Sequence, residues 1–491
     1  MKSCPKYPVI YEINTLVWLH ELSEKYKKTI TFASVPVKEW DYLESLGIDA
    51  VWFMGVWERS PAGIKIASAN SNLMSEFRTV LPDFQAKDLA GSAYCVKNYV
   101  VDTKLGGTAG LAKAREMLAG RGIKLILDFV PNHVAPDHPW ASAHPEYFIR
   151  GAEEDIANDF ASFIKIGDNI IALGRDPYFP AWPDVLQLNA FNAELRNAVL
   201  DTVSEIADQC DGVRCDMAML MLNNIFEKTW GARAGQKPSE DYWPALIQAV
   251  KSKFPGFLFI AEAYWYLEWE LQQHGFDFCY DKKLYDRMEQ GSVEDIRLHL
   301  LADMSYQDKL LRFIENHDEP RAANSFSCEK EKMAAVVFST LPGARLFYEG
   351  QFEGRKTREP VFLGRRPVEK TSKELAAFYQ NLLEQTNDNA FRNGSWQRCE
   401  IRGCTDNNLD NNLLSWTWRL KNMLYLIVVN YGDSESRGLI RLAHEDLHGK
   451  TLRLTDILNG EKYDRSGSEM SGNGIYVALK SWSCHFFRVE I

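Results

Sequence analysis

The chain has 491 residues, 46% of them hydrophobic and 25% charged, the proportions of an ordinary globular protein with a sizeable buried core. Its formal net charge of -11 argues against a nucleic-acid partner, whose phosphates need a basic surface. The start, Met1-Lys-Ser-Cys-Pro-Lys-Tyr-Pro8, lacks the apolar stretch of a signal peptide, and no run reaches membrane-spanning length, so a soluble, cytoplasmic chain without a membrane partner is expected.

In chain order, residues 9–13 read as a first strand, 39–46 as a helix and 48–54 as a second strand. Ser, Asn and Pro then predict a long polar loop over about 55–92. Leu111, Ala114, Met117 and Leu118 share one helical face, Gly120 and Gly122 end that helix, and a strand follows at 124–130. Strand, helix, strand in this order predicts a parallel sheet. From His133 to Gln187 both periodicities fade, which places an inserted subdomain there.

A helix over 192–209 turns Leu195, Val199, Val203 and Ile206 inward and leads into the strand that opens at Gly212. Another begins near Ser239, read as its N-cap, and buries Trp243, Leu246, Ile247 and Val250 ahead of a strand at 257–261. Segments 276–280, 311–318 and 345–348 bring the strands to eight, so the fold class expected is α/β, a (β/α)8 barrel. The last barrel helix carries Thr371 and Glu374 as a capping box, with Leu375, Phe378, Tyr379, Leu382 and Leu383 inward. Beyond Ser395, short strands at 413–418, 423–429 and 484–489 predict an antiparallel β-sandwich. The domains expected are a catalytic barrel over 1–392, the inserted subdomain at 134–187 within it, and the sandwich over 393–491.

The nine cysteines are odd in number and lack C-x-x-C spacing, and Cys210, Cys215 and Cys279 lie in or beside apolar segments. Reduced, buried thiols fit better than disulfides or a zinc site.

Arg214 and Asp216 stand two positions apart, on one face of a strand. A guanidinium that keeps its proton holds the neighbouring carboxylate ionised, which makes Asp216 a candidate nucleophile. Two other apolar runs also end in acids, Glu262 after 257–261 and Asp318 after 311–317. Carboxylates at the C-terminal ends of several parallel strands are how an α/β barrel builds an active site. Glu262 follows Ile260 and Ala261 and precedes Ala263 and Tyr264, surroundings that disfavour its charge, so it is read as the acid that protonates a leaving oxygen and later activates water. Together the two acids suit covalent cleavage of a glycosidic bond, with Asp318 binding sugar hydroxyls. A divalent-metal site of the enolase kind competes with this reading, and the fixed charge of Arg214 opposes it.

Four segments, Asp128-Phe-Val-Pro-Asn132-His133, Gly212-Val-Arg214-Cys-Asp216, Glu262 after its strand, and Glu315-Asn-His317-Asp318, resemble in order the signature segments of the α-amylase family of glycoside hydrolases. Tyr94-Cys-Val-Lys-Asn-Tyr99 before Leu105-Gly-Gly107, Phe276-Asp-Phe-Cys-Tyr-Asp281 and Leu346-Phe-Tyr-Glu-Gly-Gln351 extend the resemblance over about 11–351. It implies a (β/α)8 barrel with an insertion after strand three, a C-terminal β-sandwich, and retaining action on the α-glucosidic bonds of an oligosaccharide or α-glucoside. Hydrolysis of maltooligosaccharides or short α-glucosides is the first expectation. A transglycosylase or isomerase using the same intermediate is the alternative, and a non-catalytic binding relative a distant third.

By the same resemblance Asp216 is the nucleophile, Glu262 the acid/base and Asp318 the third carboxylate. Tyr94 would stack on the sugar, His133 and His317 would hydrogen-bond its hydroxyls, Arg214 would orient the nucleophile, and Asp128 would brace Arg214. Where many starch-acting members carry Lys and His after the nucleophile, this chain has Met219 and Leu220, which implies a less polar leaving-group side. Asn132 matches a position that often ligates calcium, but the insertion offers no clear partner set, so calcium stays unassigned and no cofactor is required for catalysis. Trp57, Trp140, Trp182 and Trp265 are candidates for stacking on glucose, and the basic run 355–366 is a weaker candidate for an anionic sugar or acceptor. Linkage and oligomeric state are left open.

Overall fold

The computed structural model describes residues 4–403 and 410–491, so the first three residues of the segment inspected for a leader lie outside the described part. Eight strands, β1 (Val9–Asn14), β2 (Ala50–Met54), β3 (Lys124–Phe129), β4 (Gly212–Cys215), β5 (Leu258–Ala261), β6 (Phe278–Tyr280), β7 (Leu310–Arg312) and β8 (Ala344–Tyr348), close into a barrel in which each pairs with its neighbours in sequence. Every residue of β1, β2 and β8 is buried, which is why their side chains are mostly apolar on both faces rather than alternating, with Glu12, Asn14 and Arg345 as buried exceptions. Helices supply the outer cover. The helix Ala193–Gln209 starts where expected, because the Asn192 side chain accepts the Leu195 N–H at 2.9 Å.

Four local expectations are corrected. The stretch read as a polar loop folds into two helices, Pro61–Ala69 and Ser71–Val80, capped by the side chains of Ser60 and Asn70. They pack Ala67, Phe77 and Leu81 against Leu89 and Leu363, a core too small to stand out as periodicity. The helix placed at Ser239 begins at Tyr242, with Asp241 as its N-cap. The last barrel helix, Lys373–Thr386, is capped by Ser372 rather than Thr371, since the Ser372 hydroxyl accepts the Leu375 N–H, and Phe378 is only partly buried. Strand β7 ends at Arg312, so Asp318 belongs to the loop that follows it.

Within the insertion, His133–Val134 pairs antiparallel with Leu186–Gln187, and Phe163–Ile166 pairs with Asn169–Ala172. The eight cysteines among the described residues are all free. No described helix is long and apolar enough to cross a membrane.

Two compact bodies divide the chain, residues 10–280 with 357–368, and residues 4–9, 281–356 and 369–491. In the second, a six-stranded and a three-stranded antiparallel sheet share one core, with Leu424, Leu426, Leu454 and Phe487 from the larger and Ile440, Ile475 and Val477 from the smaller, which makes a sandwich. The indole nitrogens of Trp416 and Trp418 donate to the Thr340 hydroxyl and carbonyl at 3.2 and 2.6 Å, anchoring the larger sheet beyond the helix Cys328–Ser339.

That helix also buries Glu331, whose carboxylate accepts the Tyr379 hydroxyl at 3.1 Å. Burial, reinforced by nearby Glu315, pushes the Glu331 carboxyl from 4.5 up to about 7. The folded state thus holds this proton more tightly than the unfolded chain. The stabilisation is complete below about 4.5 and is lost as pH rises through about 7. Glu331→Gln keeps an acceptor for Tyr379 and cannot ionise. Between about pH 5 and pH 8 the wild type should lose about 2 to 3 kcal/mol, roughly 2 to 3 °C in Tm, that the variant retains, read by thermal melts at stepped pH.

Candidate active site

Gly212 opens β4, and a Cβ there would lie 2.8 Å from the Leu258 Cβ and 2.9 Å from the Leu258 carbonyl on β5. This close approach sets the register, Arg214 opposite Ile260 and Cys215 opposite Ala261. Asp216 and Glu262 are therefore the first residues past the ends of adjacent parallel strands. Their backbones stay in the ladder, with the Asp216 N–H donating to the Phe129 carbonyl at 2.8 Å and the Glu262 N–H to the Cys215 carbonyl at 3.1 Å.

Arg214 ties these ends together. Its Nη1 lies 2.7 Å from Asp216 Oδ1 and 3.6 Å from Asp128 Oδ1, and its Nη2 lies 2.8 Å from Glu262 Oε2. Asp128 is its register partner on β3, and the other Asp128 oxygen accepts the Gly55 N–H. The arginine is 1% exposed, with the rings of Trp52, Tyr94 and Tyr280 at 5.2, 5.2 and 5.7 Å from its guanidinium carbon. Burial alone would weaken its basicity, but Glu262, Tyr280, Tyr94 and Asp216 outweigh that and hold it well above the ordinary value. The group is a fixed cation.

The surroundings expected for Glu262 are corrected. Besides Arg214, its Oε2 accepts the Met217 N–H at 2.5 Å, and its Oε1 accepts the Tyr264 hydroxyl at 2.9 Å. The site is buried but not apolar. Met217 aims its amide there by adopting a left-handed backbone, φ 43°. Trp265 and Tyr266 are left-handed too, both at φ 63°. Side chains other than glycine are strained in this region by roughly 1 kcal/mol or more each, and such strain gathers at functional sites.

Of the other expected residues, Tyr94 is half-buried against Arg214. His133, in the same body, is buried, and burial pushes its imidazole down to about 4, so the ring is neutral. In the second body His317 is buried with its Nε2 3.0 Å from Asp318 Oδ2, and the Asp318 side chain is 42% exposed. Glu315 braces that loop by accepting from Arg321 Nη1 at 2.8 Å and from the Ala322 N–H at 2.6 Å, while the Arg321 guanidinium lies 4.0 Å from the Tyr348 ring centre. Asn316 Oδ1 accepts the Asp318 and Glu319 amides.

The structure thus gathers Asp216, Glu262, Tyr94 and Asp128 around Arg214. Trp52, Tyr264, Tyr280 and the Met217 amide were not foreseen as members of the group. Tyr280 was within reach, two strands beyond Arg214 and inside a recognised segment, and its hydroxyl accepts from Arg214 Nε at 3.3 Å.

Trp57 is a core brace, fully buried with its Nε1 donating to the Asp128 carbonyl at 2.7 Å, and so is unavailable to a sugar. Trp140 packs on His138 and Tyr147, Trp182 lies 5.2 Å from the His133 ring, and Trp265 meets exposed Tyr178 edge-on at 4.8 Å. Met219 and Leu220 are buried. Arg365 pairs with Asp83 and Asp88, and Arg366 with Glu21 and Glu359, so acids of the same body match these charges.

The family model described as alpha amylase, catalytic domain, matches residues 37–172. Alpha-amylase MalA of Haloarcula japonica is 24% identical over 435 residues, 87% of this chain and 55% of that protein. The chain is thus similar to the α-amylase family. An oligo-1,6-glucosidase of Parageobacillus thermoglucosidasius is 22% identical over 74% of this chain and 71% of its own length. A maltogenic α-amylase from Thermotoga neapolitana superposes with a TM-score of 0.70 over 99% of both chains at 18% identity, and so shares the fold of this chain. The chain spans about half the length of the Haloarcula relative.

Proposed function

We propose that this chain hydrolyses the α-glucosidic bonds of maltooligosaccharides or short α-glucosides with net retention, through a covalent glycosyl-enzyme. The observation that carries this is Arg214 gripping one oxygen each of Asp216 and Glu262. Carboxyl groups on adjacent nitrogens of one guanidinium stand within about 5 Å of each other, the spacing of a nucleophile and an acid/base rather than the wider gap an inverting pair leaves for water.

Asp216, held as an anion by the fixed cation, attacks the anomeric carbon. Glu262 protonates the leaving oxygen and then activates water. Its Oε2 faces two donors, Arg214 and the Met217 N–H, so the proton to be transferred sits on Oε1, the oxygen beside Tyr264. Asp318, from the loop after β7, is assigned to sugar hydroxyls and to the positive charge of the transition state, with His317 beside it. Neutral His133 serves as hydroxyl donor or acceptor, and Tyr94 as the stacking face. No step uses a cofactor. The relatives, an α-amylase and an oligo-1,6-glucosidase, support α-glucan or α-glucoside substrates. A cytoplasmic location belongs to the same reading, supported by the free cysteines.

The test is to follow pure protein with maltose, maltotriose, isomaltose, trehalose and sucrose by proton NMR. The expected first product from maltotriose is the α-anomer, which mutarotates later. A β-anomer first, or no cleavage of any of these sugars, overturns the proposal.

A further inference from the structure

Where the insertion returns to the barrel, three oxygens converge on one atom. Gln187 Nε2 lies 2.9 Å from Asn132 Oδ1, 3.0 Å from the Asn132 carbonyl and 2.9 Å from the Leu188 carbonyl. Gln187 and Asn132 are fully buried, at 0% and 1% exposure. The amide's orientation is fixed from its other end, where Oε1 accepts the Arg175 N–H at 3.3 Å. Reversed, it would set an oxygen against three oxygens. Asn132 is fixed likewise, since its Nδ2 stands 3.3 Å from His133 Nδ1 and the neutral ring accepts there. The His133 ring in turn hydrogen-bonds the Tyr94 backbone.

Oxygens converging in a buried junction are what a hard cation collects. Calcium, however, takes about six to eight of them and draws its affinity from carboxylates. Here all three are neutral carbonyl oxygens, and among the described residues no group of three or more His, Cys, Asp or Glu could hold a metal. The position is also filled by a donor whose two N–H groups are shared among the three acceptors. The residues at Asn132 do not fit calcium.

We propose that the Gln187 amide is a built-in substitute for a cation at this junction. It clamps the insertion to the loop after β3 and, through Asn132, positions His133, so that the fold is independent of calcium. The proposal stands whatever sugar the chain acts on, because its test reads stability and metal content.

Wild-type protein purified without chelator should carry no stoichiometric calcium by plasma mass spectrometry, and its Tm should be the same in EDTA as in calcium chloride. Gln187→Glu sets a carboxylate against the three oxygens. It should melt roughly 5 °C lower in EDTA and recover most of that in millimolar calcium, because the anion completes a cation site. Gln187→Leu should melt lower without recovering. Stoichiometric calcium in the wild type, or a wild-type Tm that falls in EDTA, overturns the proposal, and so does a Q187E protein that stays destabilised in saturating calcium. Should Q187E fail to fold, the wild-type measurements decide alone.

Discussion

Asp216→Asn is expected to give a folded protein whose kcat on maltotriose is lower by about four orders of magnitude or more. The amide matches the carboxylate in shape and still offers an oxygen to Arg214 Nη1, which lies 2.7 Å from Asp216 Oδ1. What it loses is the anion proposed as the nucleophile. Stability should change little, because Arg214 keeps Glu262 at 2.8 Å and Asp128 at 3.6 Å. The guanidinium is not left as an unpaired buried charge, so the loss should be about 1 kcal/mol rather than the 3 to 5 of a pair broken outright. Melts and steady-state rates on one preparation separate the two effects. An activated fluoro-glucoside should leave a glycosyl adduct on an Asp216 peptide of the wild type and none on the variant. A variant within about tenfold of wild-type activity would remove Asp216 from the role of nucleophile.

The same cluster shows which features a sequence carries and which it hides. Strand β2 was legible because both faces are buried and its apolar run is unbroken, and β3 and β8 because a short apolar core survives around Asp128 and Arg345. The two helices at 61–80 were not, because their apolar positions are sparse and the caps at Ser60 and Asn70 were read as loop composition. Ser372 was missed for a related reason, since Thr371 and Glu374 offered the capping-box spacing one residue early. In the site, Arg214 and Asp216 were legible as a period-two pair. That Arg214 also reaches Glu262 depends on the register of β4 against β5, which Gly212 permits and no local pattern reports. The polarity around Glu262 was hidden for a similar reason, because half of it is a backbone N–H aimed by a left-handed Met217. Asn132 was singled out only through the family resemblance, and the amide that bonds its side chain, Gln187, lies more than fifty positions away, beyond any local pattern.

Arg214→Met should produce the largest loss of stability of any single change at the site. It leaves Asp128, Asp216 and Glu262, all buried, without their shared cation. Stranding buried charge in this way costs about 3 to 5 kcal/mol, roughly 3 to 5 °C in Tm for a chain of this size. The folded variant can lower that cost by keeping protons on the stranded acids, so it binds more protons than its unfolded chain. Its stability relative to wild type should therefore fall further as pH rises from about 5 to about 8. Arg214→Lys restores one charge but not the fork, because a single ammonium cannot hold Asp216 and Glu262 at once. It should melt between Met and wild type, with kcat/KM still about 100-fold or more below wild type. The two variants should thus separate functions that the native guanidinium combines: charge alone is expected to recover part of the stability, while turnover is expected to need two nitrogens in fixed geometry. Equal recovery of melting temperature and kcat/KM by lysine would refute that division, and a Met variant with the wild-type melting point at every pH would show that the pairing carries none of the site's stability.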